Sequence, residues 1–198
     1  MKTLNLRYIG DPVLAAQAKP VETIDDSIRE LSARMIQTMY KNNGIGLAGN
    51  QVGFPLRIVV LHVDRREEDG EDVFAGPETE GERKLIPLMP LTLINPEIVS
   101  FSDEKCAFSE GCLSVPKLYA DVVRSRRIVL KSTLLDGSSI LLECGGLLAR
   151  CIQHEVDHLD GNVFVQRAEE ESYQNIVPQL TKMLRKNGWK NYKVRRLV

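Results

Sequence analysis

Residues 146–161, GLLARCIQHEVDHLDG, set two histidines and a glutamate at H-E-x-x-H spacing. On a helix turning roughly 100° per residue, His154, Leu147, His158, Cys151, Glu155, Leu148, Leu159 and Ile152 follow one another around one continuous arc. Gln153, Arg150, Asp157 and Asp160 fall on the opposite side. Side chains four apart lie on the same helix face one turn from each other, so the two imidazoles can converge on a point. Glu155 shares the apolar arc, and burying an ionised carboxylate among leucines costs several kcal/mol without a compensating partner. H-E-x-x-H supplies such a partner when two histidines hold a metal and the glutamate handles protons beside it. Histidines on an amphipathic helix are also met as satisfied core residues, and the glutamate is what that alternative leaves unexplained. A metal needs a third protein ligand, which must come from elsewhere in the chain.

The 198 residues are 43% hydrophobic and 27% charged with a formal net charge of -1, the composition of an ordinary globular protein with no bias toward a polyanion. The first residues, MKTLNLRYIGDPVL, lack the basic flank, apolar core and cleavage site of a signal peptide, and no apolar run reaches membrane-spanning length. The expectation is a cytoplasmic protein. Its four cysteines, Cys106, Cys112, Cys144 and Cys151, then read as reduced thiols, one of them available to a metal.

Several elements must position this helix. Asp11-Pro12 marks a turn. A first helix is expected from a capping box at Thr23 and Asp26 through Ile28, Leu31, Met35 and Met39, ending at Asn43-Gly44. Residues 44–53, GIGLAGNQVG, follow no phosphate-loop spacing, because residues 56–63 read as a strand rather than a helix. Gln51 is the side chain in that loop able both to donate and to accept. Residues 64–84 carry nine acidic and four basic residues with almost no apolar periodicity, and read as a surface insertion. His62, at a strand end, reads as structural.

Residues 91–99 resume strand character, with Asn95-Pro96 expected to mark an edge or a bulge. EGCLS at 110–114 reads as a tight extended turn around Cys112, and a lone cysteine there could equally be a small buried apolar group. Residues 126–135 and 139–143 flank Asp136-Gly137 as a hairpin, and Gly145-Gly146 breaks the strand before the histidine helix. Residues 162–167 read as a short strand. Tyr173, Ile176, Val177, Leu180, Met183 and Leu184 form a last helical stripe, with Pro178 in its first turn or kinking it. Residues 182–198 form a basic tail with seven cations and no acid, a segment that could touch nucleic acid or simply be a solvated helix end. No repeat or linker divides the chain, so one domain spans 1–198.

Three segments, GIGLAGNQ, EGCLS and QHEVDH, occur here in the order and form seen in peptide deformylases, and the chain resembles that family from DPVL near its start through Gly161. Gly49 stands where the family usually has alanine, which suggests a looser loop around Gln51. The resemblance implies an α+β fold of mostly antiparallel sheets packed around a central metal-binding helix, with an N-terminal and a C-terminal helix. It implies metal ligands Cys112, His154 and His158 and a fourth tetrahedral position for water. It also implies one divalent ion, iron(II) natively, with zinc, nickel or cobalt accepted. Glu155 becomes the proton carrier, and the Gln51 amide and the Leu113 backbone N–H become donors to the oxyanion. A methionine side chain needs an apolar slot near the metal, and Ile45, Leu147 and Cys151 can furnish it, the last two because they share the histidines' arc; Gly46 is expected to join them in binding substrate. The implied substrate is the N-formyl-methionyl end of a nascent polypeptide. The basic tail from Lys182 suggests contact with ribosomal RNA near that substrate, and no DNA or membrane partner is expected. The competing readings are an H-E-x-x-H metallopeptidase, which would need a downstream ligand, and a structural metal site, which would need four protein ligands.

Overall fold

A computed structural model of the protein describes residues 2–64, 78–188 and 194–197. Helix α1 (Asp26–Lys41) leads into β1 (Gly46–Ala48) and β2 (Ile58–Leu61). Then come α2 (Glu80–Leu85), β3 (Leu91–Phe101), β4 (Lys105–Cys112), β5 (Val115–Ser125), β6 (Ile128–Leu134) and β7 (Ser139–Cys144). The histidine helix is α3 (Gly146–Leu159), and α4 (Glu170–Lys186) follows. The strands form an antiparallel five-stranded sheet in the order β1-β2-β3-β6-β7 and a separate antiparallel hairpin, β4-β5. This is the α+β architecture expected.

The larger sheet is covered on both faces, and β2 shows why its sequence is apolar throughout rather than alternating. Val59 and Leu61 point to one face, where Leu148, Ile152, Val156 and Leu159 of α3 pack. Ile58 and Val60 point to the other, against Ile28, Leu31, Met35 and Met39 of α1. The hairpin closes over α3 from the opposite direction, and α4 lies outside it, burying Ile176, Leu180 and Leu184 with Leu118, Ala120 and Val122 of β5. The central helix is therefore enclosed on all sides. Arg150, Gln153 and Asp157, which the helical arc sends to solvent, are only 4%, 5% and 7% exposed, because the hairpin covers the face the arc leaves polar. Asp160 alone of that group is exposed.

Other expectations shift in detail. The cap of α1 is Asp25, whose carboxylate accepts from the Ile28 N–H at 3.1 Å, and not Thr23. Of the insertion at 64–84, residues 65–77 lie outside the described residues, while 80–84 form helix rather than loop. Thr79 and Glu82 cap that helix reciprocally, with Thr79 N donating to Glu82 Oε2 at 2.9 Å and Glu82 N to Thr79 Oγ1 at 3.3 Å. β3 is the middle strand of its sheet and not an edge, and Asn95 accommodates the following proline in a bulge at φ 50°. Its side chain takes up the pairing that the bulge breaks, accepting from Val21 N and donating to Val21 O, both at 2.8 Å. The β4-β5 hairpin is longer than the turn expected around Cys112, and Leu113-Ser114 make its two-residue connection. Residues 162–167 hold a 3-10 turn, Phe164–Gln166, in place of a strand, and Pro178 lies well inside α4 rather than in its first turn.

The glycine loop forms β1 and a 3-10 turn, Gly49–Val52, closed by Gly53 at φ 85°. Gly49 is held tightly here. A Cβ at this position would stand 2.5 Å from the Phe54 carbonyl oxygen and 2.7 Å from that of Leu56, both backbone atoms. Gly49→Ala should therefore lower stability by about 1–3 kcal/mol, the usual cost of overpacking, read as a reduced melting temperature; an unchanged melting temperature would contradict this packing.

Candidate active site and metal centre

α3 opens at Gly145-Gly146, where a Cβ on Gly145 would strike Thr79 Cγ2 at 2.8 Å, so the strand from β7 can turn directly into the helix. From that start, His154 and His158 stand one turn apart with their rings edge-to-face, centroids 5.2 Å apart. Cys112 reaches them from the end of β4, its Sγ 3.2 Å from His158 Nε2. One ligand atom from each of these three residues lies within 4.8 Å of the others, the one such Cys/His/acid group among the described residues. A thiolate and two imidazoles form a borderline-soft donor set suited to a first-row divalent metal.

The two imidazoles of this candidate ligand group differ in electrostatic setting. Burial and the neighbouring His154 hold His158 well below the usual imidazole range, which keeps it neutral and its lone pair available. For His154, burial pushes the same way, but Cys112 and the Glu110 carboxylate overcome it and raise the imidazole well above its ordinary value. His154 Nδ1 lies 2.9 Å from Glu110 Oε2, and Phe164 stacks on the ring at 6.1 Å. An Nδ1–H donated to a carboxylate fixes which nitrogen faces the metal.

Glu110 is the member of this site that the residue pattern alone did not single out. Arg124 Nε and Nη2 donate to its two oxygens at 2.6 and 2.9 Å, and Arg150 Nη1 donates to Oε1 at 2.6 Å. Arg124 Nη1 continues to Asp157 Oδ2 at 2.8 Å, and Arg167 closes the chain onto both oxygens of Asp157. Burial opposes ionisation of Glu110, yet His154 and Arg124 hold its carboxyl far below the usual range. The signal for it was present, since Glu110 precedes Cys112 by two and Arg150 precedes His154 by four. What was missing was the hairpin that brings them together.

Gln51 lies on the other side of Cys112. Its Oε1 accepts from Ala48 N at 2.7 Å, which turns the amide nitrogen toward Cys112 Sγ at 3.4 Å and Ser114 Oγ at 3.3 Å. Glu155 is 4% exposed, and burial pushes its carboxyl from 4.5 up to about 7. Gly46 makes room for it: a Cβ there would come within 2.4 Å of Glu155 Oε1 and 2.8 Å of Cys151 Sγ. Glu155 Oε2 is buried without a protein partner among the described residues, so the site holds a polar atom that the folded chain alone does not satisfy. A metal with its own water suits that deficit.

Ile45, Gly46, Gln51, Cys112, Leu113, Leu147, Cys151, His154 and Glu155 all border one open cavity of about 630 Å³, with His158 fully buried at its side. The nine cavity residues expected to do chemistry or bind substrate are thus brought to one place. His62 is not, pairing instead with Tyr40 and Asp64 at the surface. Glu169 to Glu171, the acids downstream of the histidines, are exposed at the start of α4 and outside the ligand group. All four cysteines are free thiols.

Residues 3–174 match the family model described as polypeptide deformylase. The chain belongs to this family. It is 44% identical over 177 residues to peptide deformylase 2 of Gloeobacter violaceus, covering 89% of this chain and 84% of that one. It is 45% identical over 167 residues to the peptide deformylase of Dictyoglomus thermophilum, covering 84% and 94%. Among solved structures, the peptide deformylase of Synechococcus elongatus superposes with a TM-score of 0.76 at 37% identity, covering 98% of this chain and 91% of that one. The Thermotoga maritima enzyme gives 0.70 at 36% identity over 85% and 99%. As a peptide deformylase the chain is a metal-dependent hydrolase.

The burial of Glu155 has a measurable consequence. A carboxyl whose folded value is raised contributes stability that is complete below its unfolded value and is lost as pH rises through its folded value. In metal-free protein, Glu155→Gln should gain on the wild type progressively from pH 4.5 to above 7, by about 3 kcal/mol at the top of that window. Melting curves across this range that keep a constant difference would show that Glu155 is not buried uncharged.

Proposed function

We propose that this chain removes the formyl group from the N-terminal formyl-methionine of nascent polypeptides, using Cys112, His154 and His158 to hold a divalent metal, iron(II) in its native state. The observation that carries the reading is a buried carboxylate, Glu155, unsatisfied by protein and sharing a cavity with a thiolate–imidazole–imidazole cluster. Zinc, nickel and cobalt suit the same ligands. A metal held there supplies Lewis acidity, which polarises the formyl carbonyl and acidifies water.

The chain's own groups do the rest. Glu155, with its proton affinity raised by burial, takes the proton of the attacking water and later delivers it to the leaving amine. Gln51, its oxygen already engaged by Ala48 N, presents Nε2–H to the oxyanion, and the Leu113 backbone N–H is the second donor. Ile45, Gly46, Leu147 and Cys151 form the apolar slot for the methionine side chain. Formate and a free amine leave. The metallopeptidase alternative is disfavoured because the third ligand lies upstream, on β4, and no downstream acid joins it among the described residues.

The setting we propose is the cytoplasm, near the ribosome. No helix among the described residues is long and apolar enough to cross a membrane. Of the basic tail, Arg196 is already committed to the Ala168 carbonyl at 2.5 Å and to the Tyr173 ring at 4.0 Å. Lys182, Arg185 and Lys186 are exposed on the last turns of α4 and present three cations to RNA. Reversing these three charges should abolish salt-dependent ribosome binding without changing activity on a short peptide; undiminished binding would exclude this surface.

For the reaction, metal-loaded enzyme should release formate from formyl-methionyl peptides and leave internal peptide bonds intact. Glu155→Gln should lower kcat/KM by about 10²- to 10⁴-fold with metal retained, and Gln51→Ala by about 10²- to 10³-fold. Formate release that persists in metal-bound Glu155→Gln would refute the role given to Glu155.

A further inference from the structure

We infer that Arg150 is a positioning residue for the metal centre, holding Glu110 so that its second oxygen meets His154. The inference rests on the metal-centre reading above. Arg150 and His154 lie one turn apart on α3, so their side chains can reach the same carboxylate from one helix. Arg150 Nη1 donates to Glu110 Oε1 at 2.6 Å, while Oε2 lies 2.9 Å from His154 Nδ1. A single carboxylate from β4 is thereby clipped between two consecutive turns of the helix.

Arg124 holds the same carboxylate from β5, and its far end reaches α3 through Asp157, on the other side of His154. Glu110 is thus braced from both ends of the turn that carries the ligand. With Arg150 removed, Arg124 would still hold both oxygens and reach α3 through Asp157, but the second tie to the helix would be lost, and the Glu110–Arg124 pair could tilt about Asp157 away from His154 Nδ1. Arg150 also ties the hairpin to the helix at this height. Its Nη1 donates to Val122 O at 3.1 Å and its Nη2 to Cys106 O at 2.7 Å, and its guanidinium lies over the Phe108 ring at 5.6 Å. A side chain 4% exposed and bonded to both strands of the hairpin sets the distance between Glu110 and α3. Partners of a metal-bound imidazole fix its tautomer and orientation, and their loss typically weakens metal binding 10- to 100-fold. Arg150 acts one bond further out, through Glu110, so the smaller end of that range is expected.

The test uses the full chain, stripped of metal and titrated with cobalt(II) against a competing chelator, with the visible spectrum recorded and the metal-free melting temperature measured separately. Arg150→Met should bind cobalt(II) about tenfold more weakly than wild type and shift its visible bands. Arg150→Lys, which keeps a charge and one donor, should recover part of the affinity. A purely structural role predicts otherwise: Arg150→Met would melt earlier yet bind cobalt(II) within twofold of wild type with an unaltered spectrum, and that result overturns the inference. Should Arg150→Met fail to fold, Arg150→Lys carries the test, with several-fold weaker binding expected and wild-type affinity and spectrum overturning it. Cys112→Ala separates the two readings, since wild-type cobalt(II) affinity in that variant would sink the metal centre itself.

Discussion

Everything in this molecule leans on the carboxylate of Glu110. It links the hairpin, the central helix and a candidate metal ligand, through Arg124, Arg150 and His154. Taking two arginines and a carboxylate out of water is expensive, and removing one member of such a cluster typically costs about 3–5 kcal/mol. The arrangement survives because every oxygen is met by more than one donor. The return on that expense is registration: β4 ends at Cys112, two residues past Glu110, so the clip that places His154 also places the thiolate opposite it.

The second constraint is backbone approach. Gln51 and Glu155 come to the cavity from different elements, and both positions depend on glycine. Gly46 yields the volume that Glu155 and Cys151 occupy, and Gly49 lets the chain fold back on the carbonyls of residues 54 and 56. The looseness that Gly49 suggests in isolation does not fit its surroundings, where a methyl group would meet main-chain oxygen. Asn50 adds a further tie, donating from one amide nitrogen to Ala16 O at 2.7 Å and to His158 O at 2.9 Å. The loop is thus fastened to the far end of the same helix that supplies the ligands.

How much of this was legible beforehand follows from the range of each signal. Helices α1 and α3 and the β6-β7 hairpin were readable because their periodicity and turn residues are local: Asp136-Gly137 specifies a turn whatever surrounds it. The two histidines and Glu155 could be found from spacing, and Cys112 and Gln51 from the resemblance of their segments. The β4-β5 hairpin was not, because one of its faces is lined by arginine and acid side chains that pair only across the fold, and such residues read as surface. The same misreading sent Arg150, Gln153 and Asp157 to solvent. A helical arc distinguishes apolar from polar, whereas burial here is decided by ion pairs with another element. Val163, Phe164 and Val165 failed for the opposite reason: a run of apolar residues is ambiguous between a strand and a packed turn.

The enclosure of α3 bears on how the candidate ligands are held. A helix covered by a sheet on one face and a hairpin on the other opens only in extensive unfolding events, and His154 and His158 sit on it. Cys112 does not, being half-buried at the turn of a two-stranded ribbon. On the proposed ligand set, two donors would thus come from the enclosed helix and the third from a connection, so the site would be divided between a packed element and an open turn.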